Sequence, residues 1–356
     1  MARIHDLFER LREVKGSDLH LAAGLAPRIR VHGALEPLPD WPALPAEDLL
    51  AMLREISPAR IWEEYERDGD ADFAYGLVGV ARFRANLLRQ ENGPAAVFRL
   101  IPERIVPLAE LGLPPAVGSL AELPQGLVLV TGPTGSGKST TLAAILDQIN
   151  QTQAKHIVTI EDPVEFVHQS KRSTFSQREV GTDTESFQAA LRAAIRQDAD
   201  VILVGEMRDL DTISLAITAA EMGLLVFGTL HSNSAINTID RLVDVFPADD
   251  QPRVRTTLAE SLGGVVAQML MPTADGTGRC AAIEILLRAG GLANCIREGN
   301  TGMIVSIIQS GKNAGMQLMD DHLLALVEAK KITPRDAYLK AANKSRFEPL
   351  VGEAEG

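Results

Sequence analysis

The stretch Gly126 to Leu142, GLVLVTGPTGSGKSTTL, constrains this chain more than any other. Leu127 to Thr131 are apolar and β-branched enough for a short buried strand, and a glycine-rich turn then runs into helix-forming sequence. Gly132, Gly137, Lys138 and Ser139 fit the spacing G-x-x-x-x-G-K-[ST]. Glycines at 132, 135 and 137 let the backbone curl with its N–H groups inward. Thr134, Gly135, Ser136, Gly137, Lys138, Ser139 and Thr140 are therefore the candidate phosphate-binding residues, at a helix N-terminus. Lys138 is expected to reach the β- and γ-phosphates, and the Ser139 hydroxyl to ligate Mg²⁺. The motif establishes a nucleoside triphosphate and leaves open what its energy does.

The rest of the chain narrows that question. Its 356 residues exceed what one core usually supports, so two domains are expected. A net charge of -12 argues against a nonspecific nucleic-acid binder, because neutralising phosphates needs clustered Lys and Arg. Cys280 and Cys295 are the only cysteines, too few for a disulfide framework or a four-cysteine zinc site, and a reducing cytoplasm is the natural setting. Residues 1–15 are charged and amphipathic, without the apolar core of a signal peptide. The apolar run Thr212 to Leu230 is interrupted by Glu221 and Gly223, which predicts a buried helix followed by a strand over 224–229 rather than a membrane span.

In the first third, periodicity predicts an amphipathic helix over 3–14 and paired strands within 17–35. Helices over 46–56 and 58–67 and strands over 70–77, 80–89 and 95–101 follow, giving a sheet with helices packed on it. His20 and His32 read as packed or surface residues, since no second metal-type ligand stands at suitable spacing. Arg84 and Arg99 fall on the last two strands, where two guanidinium groups can share a face.

Beyond residue 115, strands and helices alternate: helix 140–150, strand 156–161, helix 186–196, strand 201–204, helix 212–222 and strand 224–229. Such alternation argues an α/β fold with a parallel sheet covered on both faces and a ligand at the carboxyl ends of its strands. Three clusters belong at those ends. Glu161, Asp162 and Glu165 follow one strand and are candidate partners of a metal ion or of the reacting phosphate. Glu206 follows the next, after a glycine where many phosphate-loop ATPases carry an ion-binding carboxylate, and is placed to orient an attacking water. His231 follows the third, positioned to sense a γ-phosphate.

Together these segments resemble the secretion and pilus ATPases of the PilT, PilB and GspE superfamily, most closely the retraction ATPases of the PilT type. The resemblance is carried by SDLHLAAGLAPRIRVHG at 17–33, GVARFRAN at 79–86, VFRLIP at 97–102, the phosphate loop, IVTIEDPVEFVH at 157–168, QREVGTDTESFQAALRAAIRQDADVILVGEMRD at 177–209 and VFGTLHSNSAINTIDRLVDVFP at 226–247. It implies a PAS-like α+β N-terminal domain over 1–102, a linker over 103–115 and a RecA-like ATPase domain with a C-terminal helical region over 116–356. It also implies a cytoplasmic homo-hexameric ring using ATP and Mg²⁺, peripheral at the inner membrane through a pilus platform protein, with a paralogous pilus ATPase as a further candidate partner. In that frame Glu165 and Glu206 are the catalytic acids, His231 and Arg241 belong to the His-box region, and Arg84 and Arg99 reach the phosphates from the N-terminal domain. Two segments depart or divide. The family's AIRNLIRE reads Gly291-Leu292-Ala293-Asn294-Cys295-Ile296-Arg297-Glu298 here, with Ala293 in place of the first arginine, and GTDTESF at 181–187 is similar to the accessory ATPase PilU.

Overall fold

The computed structural model describes residues 3–31, 33–101 and 104–354; His32 and residue 103, the first of the expected linker, lie outside them. The chain divides into two units, Met1–Arg104 with Pro163–Val167, and Ile105–Asp162 with His168–Gly356.

The first unit is built on helix α1 (Arg3–Glu13), whose Ile4, Leu7, Phe8 and Leu11 are fully buried, as their spacing on one helical face requires. Strands β1 (Asp18–Ala22), β2 (Arg28–Val31) and β3 (Ala34–Pro37) precede helices α2 (Ala46–Ile56) and α3 (Ala59–Asp68). Strands β4 (Asp70–Leu77), β5 (Ala81–Gln90) and β6 (Gly93–Ile101) complete an antiparallel six-stranded sheet of order β3-β2-β1-β6-β5-β4. Period-2 alternation then sorts the side chains. On β5, Ala81, Phe83, Ala85 and Leu87 face the helices, and Phe83 stacks on Phe8 with ring centroids 4.1 Å apart. The opposite face carries Arg84 and Arg99, which are direct cross-strand partners and both exposed.

In the second unit, a short helix α4 (Pro115–Ser119) leads into β7 (Gly126–Thr131), followed by α5 (Lys138–Thr152), β8 (His156–Glu161), β9 (Thr174–Glu179), α6 (Phe187–Ala194), β10 (Val201–Val204), α7 (Leu210–Glu221), β11 (Leu225–Leu230), α8 (Ala235–Asp244), α9 (Gln251–Ser261), β12 (Leu262–Pro272), β13 (Arg279–Leu287) and α10 (Leu292–Glu298). The seven strands lie in the order β13-β12-β7-β11-β10-β8-β9, and every pairing is parallel except β12 with β13. Leu127 and Leu129 of β7 enter one core with α7 and α9; Val128 and Val130 enter the other with α4 and α5. The sheet is thus covered on both faces, and β7, β10 and β11 are buried along their whole length. The run Thr212 to Leu230 is most of α7, the connection over 222–224 and β11, and among the described residues no helix is long and apolar enough to cross a membrane.

Of the further helices, Ile304–Ser310 buries Ile304 and Ile308 in the core that holds Leu127 and Leu129, while Met319–Glu328, Pro334–Lys340 and Glu348–Ala354 surround a small core of Met271, Ala282, Leu323 and Phe347. Strands β12 and β13 were not among the strands read from the sequence. β12 follows α9 with no intervening turn and carries Gly263-Gly264 directly after its first residue, which blurs its start in the sequence.

Candidate nucleotide site

Four adjacent parallel strands end along one edge of the second sheet. Register pairs Thr131 with Leu230, Val204 with Gly228 and Ile160 with Val204, so the ends of β7, β11, β10 and β8 stand side by side, about 4.8 Å apart per strand. Their continuations are the phosphate loop, His231, Glu206 and Glu161. This is where ligands bind in open parallel sheets.

The loop itself is cast against β12. At Gly132 (φ +146°) a Cβ would lie 2.1 Å from the Gln268 carbonyl oxygen, and at Gly137 (φ +88°) 2.8 Å from Gln268 Nε2. Only glycine meets both the backbone angle and the close approach. The Gln268 side chain, 4% exposed, donates from Nε2 to the Ser136 carbonyl at 2.7 Å and accepts the Thr141 hydroxyl at 2.8 Å. Gly137 then caps α5 and aims its first amides, those of Lys138, Ser139 and Thr140, out of the helix. Lys138 Nζ is held at the loop by the carbonyls of Gly132 and Pro133, at 2.9 and 3.1 Å. The Ser136 hydroxyl is buried with no hydrogen-bond partner among the described residues, in a concave loop whose other donors are main-chain amides and an ammonium. That donor set suits a polyanion.

Glu206 and His231 meet directly: the imidazole Nε2 and a carboxylate oxygen are 2.9 Å apart. Arg208 clasps the same carboxylate with two contacts of 2.6 Å, one from Nη2 and one from Nε. Burial pushes the Glu206 carboxyl up, but the hydrogen bonds and charges of Arg208 and His231 outweigh it and hold the group below the usual glutamate range. Glu206 is therefore ionised at neutral pH, a hydrogen-bond acceptor rather than a strong base. Arg241, on α8, donates to the His231 carbonyl at 2.6 Å and so fixes the imidazole's backbone. Beneath them, a Cβ on Gly205 would press on the Ile160 carbonyl at 3.1 Å and Glu161 Cα at 3.3 Å, leaving little room for an ion-binding carboxylate at that position. Thr229 donates to the Gly205 carbonyl at 2.5 Å and keeps the strand end in place.

Glu161 accepts from Thr159 Oγ1 at 2.7 Å and from Gln177 Nε2 at 3.3 Å; Asp162 adds a negative charge that bears on Arg208. Among the described residues no group of three or more His, Cys, Asp or Glu is arranged to hold a metal ion. The structure thus brings the 134–140 loop, Glu161, Glu206, His231 and Arg241 to one sheet edge. Glu165, Arg84 and Arg99 belong to the first unit. Sequence reasoning missed Arg208 and Gln268. Arg208, two residues from Glu206, was available as a neighbour of opposite charge; Gln268 lies in the apolar run Val265 to Met271, which was not read as a strand.

A family model described as type II/IV secretion system protein matches residues 3–340. This chain belongs to that family. Among its members, the type IV pilus retraction ATPase PilT of Pseudomonas aeruginosa is 49% identical over 331 residues, covering 93% of this chain and 96% of the relative. The twitching motility protein of Neisseria gonorrhoeae is 50% identical over 317 residues, covering 89% of this chain and 84% of the relative. A crystal structure of the pilus retraction motor PilT with bound ADP superposes with a TM-score of 0.91 at 43% identity, covering 98% of this chain and all of that one. The secretion-family segment around Ala293 forms α10, where Ala293 packs on the core and Arg297 donates to Asn294 at 2.9 Å.

Proposed function

We propose that this chain is the ATP-hydrolysing motor of type IV pilus retraction, working as a homo-hexamer at the cytoplasmic face of an inner-membrane pilus platform. The observation that carries the reading is the convergence of the phosphate loop, the Glu206–His231 pair and Glu161 on the ends of four adjacent strands. In this reading the amides of 134–140 and Lys138 hold the triphosphate, and His231 senses the γ-phosphate through its contact with Glu206. Glu206, kept ionised and oriented by Arg208, aligns the attacking water. Arg241 acts through His231 by holding its backbone. Ser139, Glu161 and Asp162 would hold Mg²⁺, which would supply charge neutralisation at the phosphate oxygens. The unpartnered Ser136 hydroxyl and the donor-rich loop fit the phosphates that such an ion accompanies.

The first unit serves as the PAS-like domain, with residues 103–115 as its linker to the ATPase domain. Arg84 and Arg99 reach a neighbouring subunit's nucleotide, since head-to-tail contacts that close into a ring place one subunit's face against the next. Glu165 contributes the second acidic group.

The test has a biochemical and a cellular arm. Purified protein hydrolyses ATP, Glu206→Gln abolishes turnover while retaining nucleotide, and cells lacking the chain accumulate surface pili and lose twitching. Bald cells would reverse the direction of work to extension; wild-type piliation with twitching lost only under load would favour a PilU-like accessory, the role to which GTDTESF at 181–187 points.

A further inference from the structure

Asp18 stands on the same sheet face as the two exposed arginines. In register it is the cross-strand partner of Arg30 on β2 and of Arg99 on β6, which is itself opposite Arg84 on β5. The row thus reads Arg30, Asp18, Arg99, Arg84. The Asp18 side chain is only 6% exposed, because the two flanking arginines lie over it.

Its contacts are specific. Asp18 Oδ1 accepts Arg99 Nε at 2.8 Å, Oδ2 accepts the Ser17 hydroxyl at 2.7 Å, and Arg30 Nε lies 3.8 Å from Oδ2. The Arg99 side chain remains 68% exposed, so it is pinned at Nε while its terminal nitrogens stay at the open end of the fork. A guanidinium can engage one carboxylate edge-on and still present Nη donors to an anion. Among the described residues Arg84 has only a looser partner. Its Nε is 4.0 Å from Asp72, whose own side chain is 57% exposed. Burial alone would push the Asp18 carboxyl up, but the hydrogen bonds of Ser17 and Arg99 with the charges of Arg99 and His20 hold it below the usual range, so the anchor stays charged.

We propose that Asp18 is a positioning residue for hydrolysis, pre-orienting Arg99 so that its Nη groups meet the triphosphate held by another subunit. The proposal rests on the reading above that Arg99 reaches a nucleotide. An arginine fixed beforehand loses less rotamer freedom when it engages the developing charge, whereas a free one must be ordered at that moment. Arg30 and Arg99 around one carboxylate leave a net positive charge, which preserves attraction for phosphate oxygens. Ser17, by occupying the second oxygen, keeps Asp18 from turning toward solvent.

A double-mutant cycle in the full-length assembled protein tests this, with steady-state ATP turnover and the affinity for a fluorescent ADP analogue as readouts. Arg99→Ala is expected to lower kcat on the order of a hundredfold, within the range that arginines contribute in other phosphate-loop enzymes. Asp18→Asn is expected to lower kcat about tenfold in the native background and less than about twofold in Arg99→Ala, with ADP affinity unchanged in both, because a residue acting only through another loses its effect when that partner is gone. Ser17→Ala, a milder change that keeps the carboxylate, is expected to lower kcat about threefold with the same dependence on Arg99 and covers the case in which Asp18→Asn fails to fold. Equal losses in both backgrounds, or no loss in either variant, would overturn the positioning role. An Arg99→Ala protein with native kcat would instead remove the reading beneath it.

Discussion

Gln268 makes the most quantitative demand on this account. Replacing it with leucine preserves its size while removing both buried hydrogen bonds, the one to the Ser136 carbonyl and the one from the Thr141 hydroxyl. Ser136 and Thr141 are 2% and 1% exposed, so water does not restore what is lost. A buried carbonyl left unpaired costs about 1–3 kcal/mol. Thr141 can turn its hydroxyl to the carbonyl one helical turn back, so its share falls near the low end, about 1 kcal/mol. The sum is about 2–4 kcal/mol, which lowers a thermal midpoint by about 5–15 °C for a domain of this size. Because the lost bonds shape the loop that holds phosphate, the affinity for ADP should fall about tenfold as well, the equivalent of about 1.4 kcal/mol. Differential scanning calorimetry and titration with a fluorescent ADP analogue measure both. A Gln268→Leu protein melting within about 1 °C of the native chain and binding ADP within about twofold would refute the idea that β12 is the mould of the phosphate loop.

Two further expectations follow from buried titratable groups. His168, stacked on Phe175 with ring centroids 4.3 Å apart, is pushed down to about 4 by burial, so the unfolded chain takes up its proton near pH 6.5 and the folded chain far lower. Its contribution is complete above pH 6.5 and is lost as the pH falls toward 4, by about 2 kcal/mol between pH 7.5 and 5; urea midpoints should show that slope in the native protein and a shallower one in His168→Gln. Glu284 is 7% exposed and accepts the Ala235 amide at 2.7 Å and the Met319 amide at 3.3 Å, satisfying the first turns of α8 and of the helix Met319–Glu328 with one carboxylate. Glu284→Gln sets an amide donor against one of those N–H groups and should cost about 1–3 kcal/mol of stability, seen as a lower urea midpoint; an unchanged midpoint would show that neither bond matters.

The phosphate loop and the central strands were legible because their signals are local. Val201 to Val204 is an apolar run between polar turns, and Ile4, Leu7, Phe8 and Leu11 repeat at helical spacing. Arg84 and Arg99 could be placed on one face because strand alternation is strict. What escaped the sequence depends on partners distant along the chain. Gln268 acts through Ser136, and the identity of neither residue announces the other. Arg208 reads as a surface charge until β10 and β11 bring His231 to the carboxylate that it shares. Asp18 sits in an alternating strand where an acid normally faces water, and only the pairing of β1 with β2 and β6 covers it. Glu165 differs again. Its sequence neighbours follow β8 of the second sheet, yet its segment packs within the first unit.

That last feature bears on how the chain can be divided. Pro163–Val167 joins the first unit while the residues on both sides belong to the second, and Val164 and Phe166 in it are 5% and 8% exposed. The backbone therefore passes from one unit to the other at three places rather than one. A gene truncated after residue 104 would yield a first unit missing five residues of its own fabric, and the complementary fragment would display Val164 and Phe166 to water.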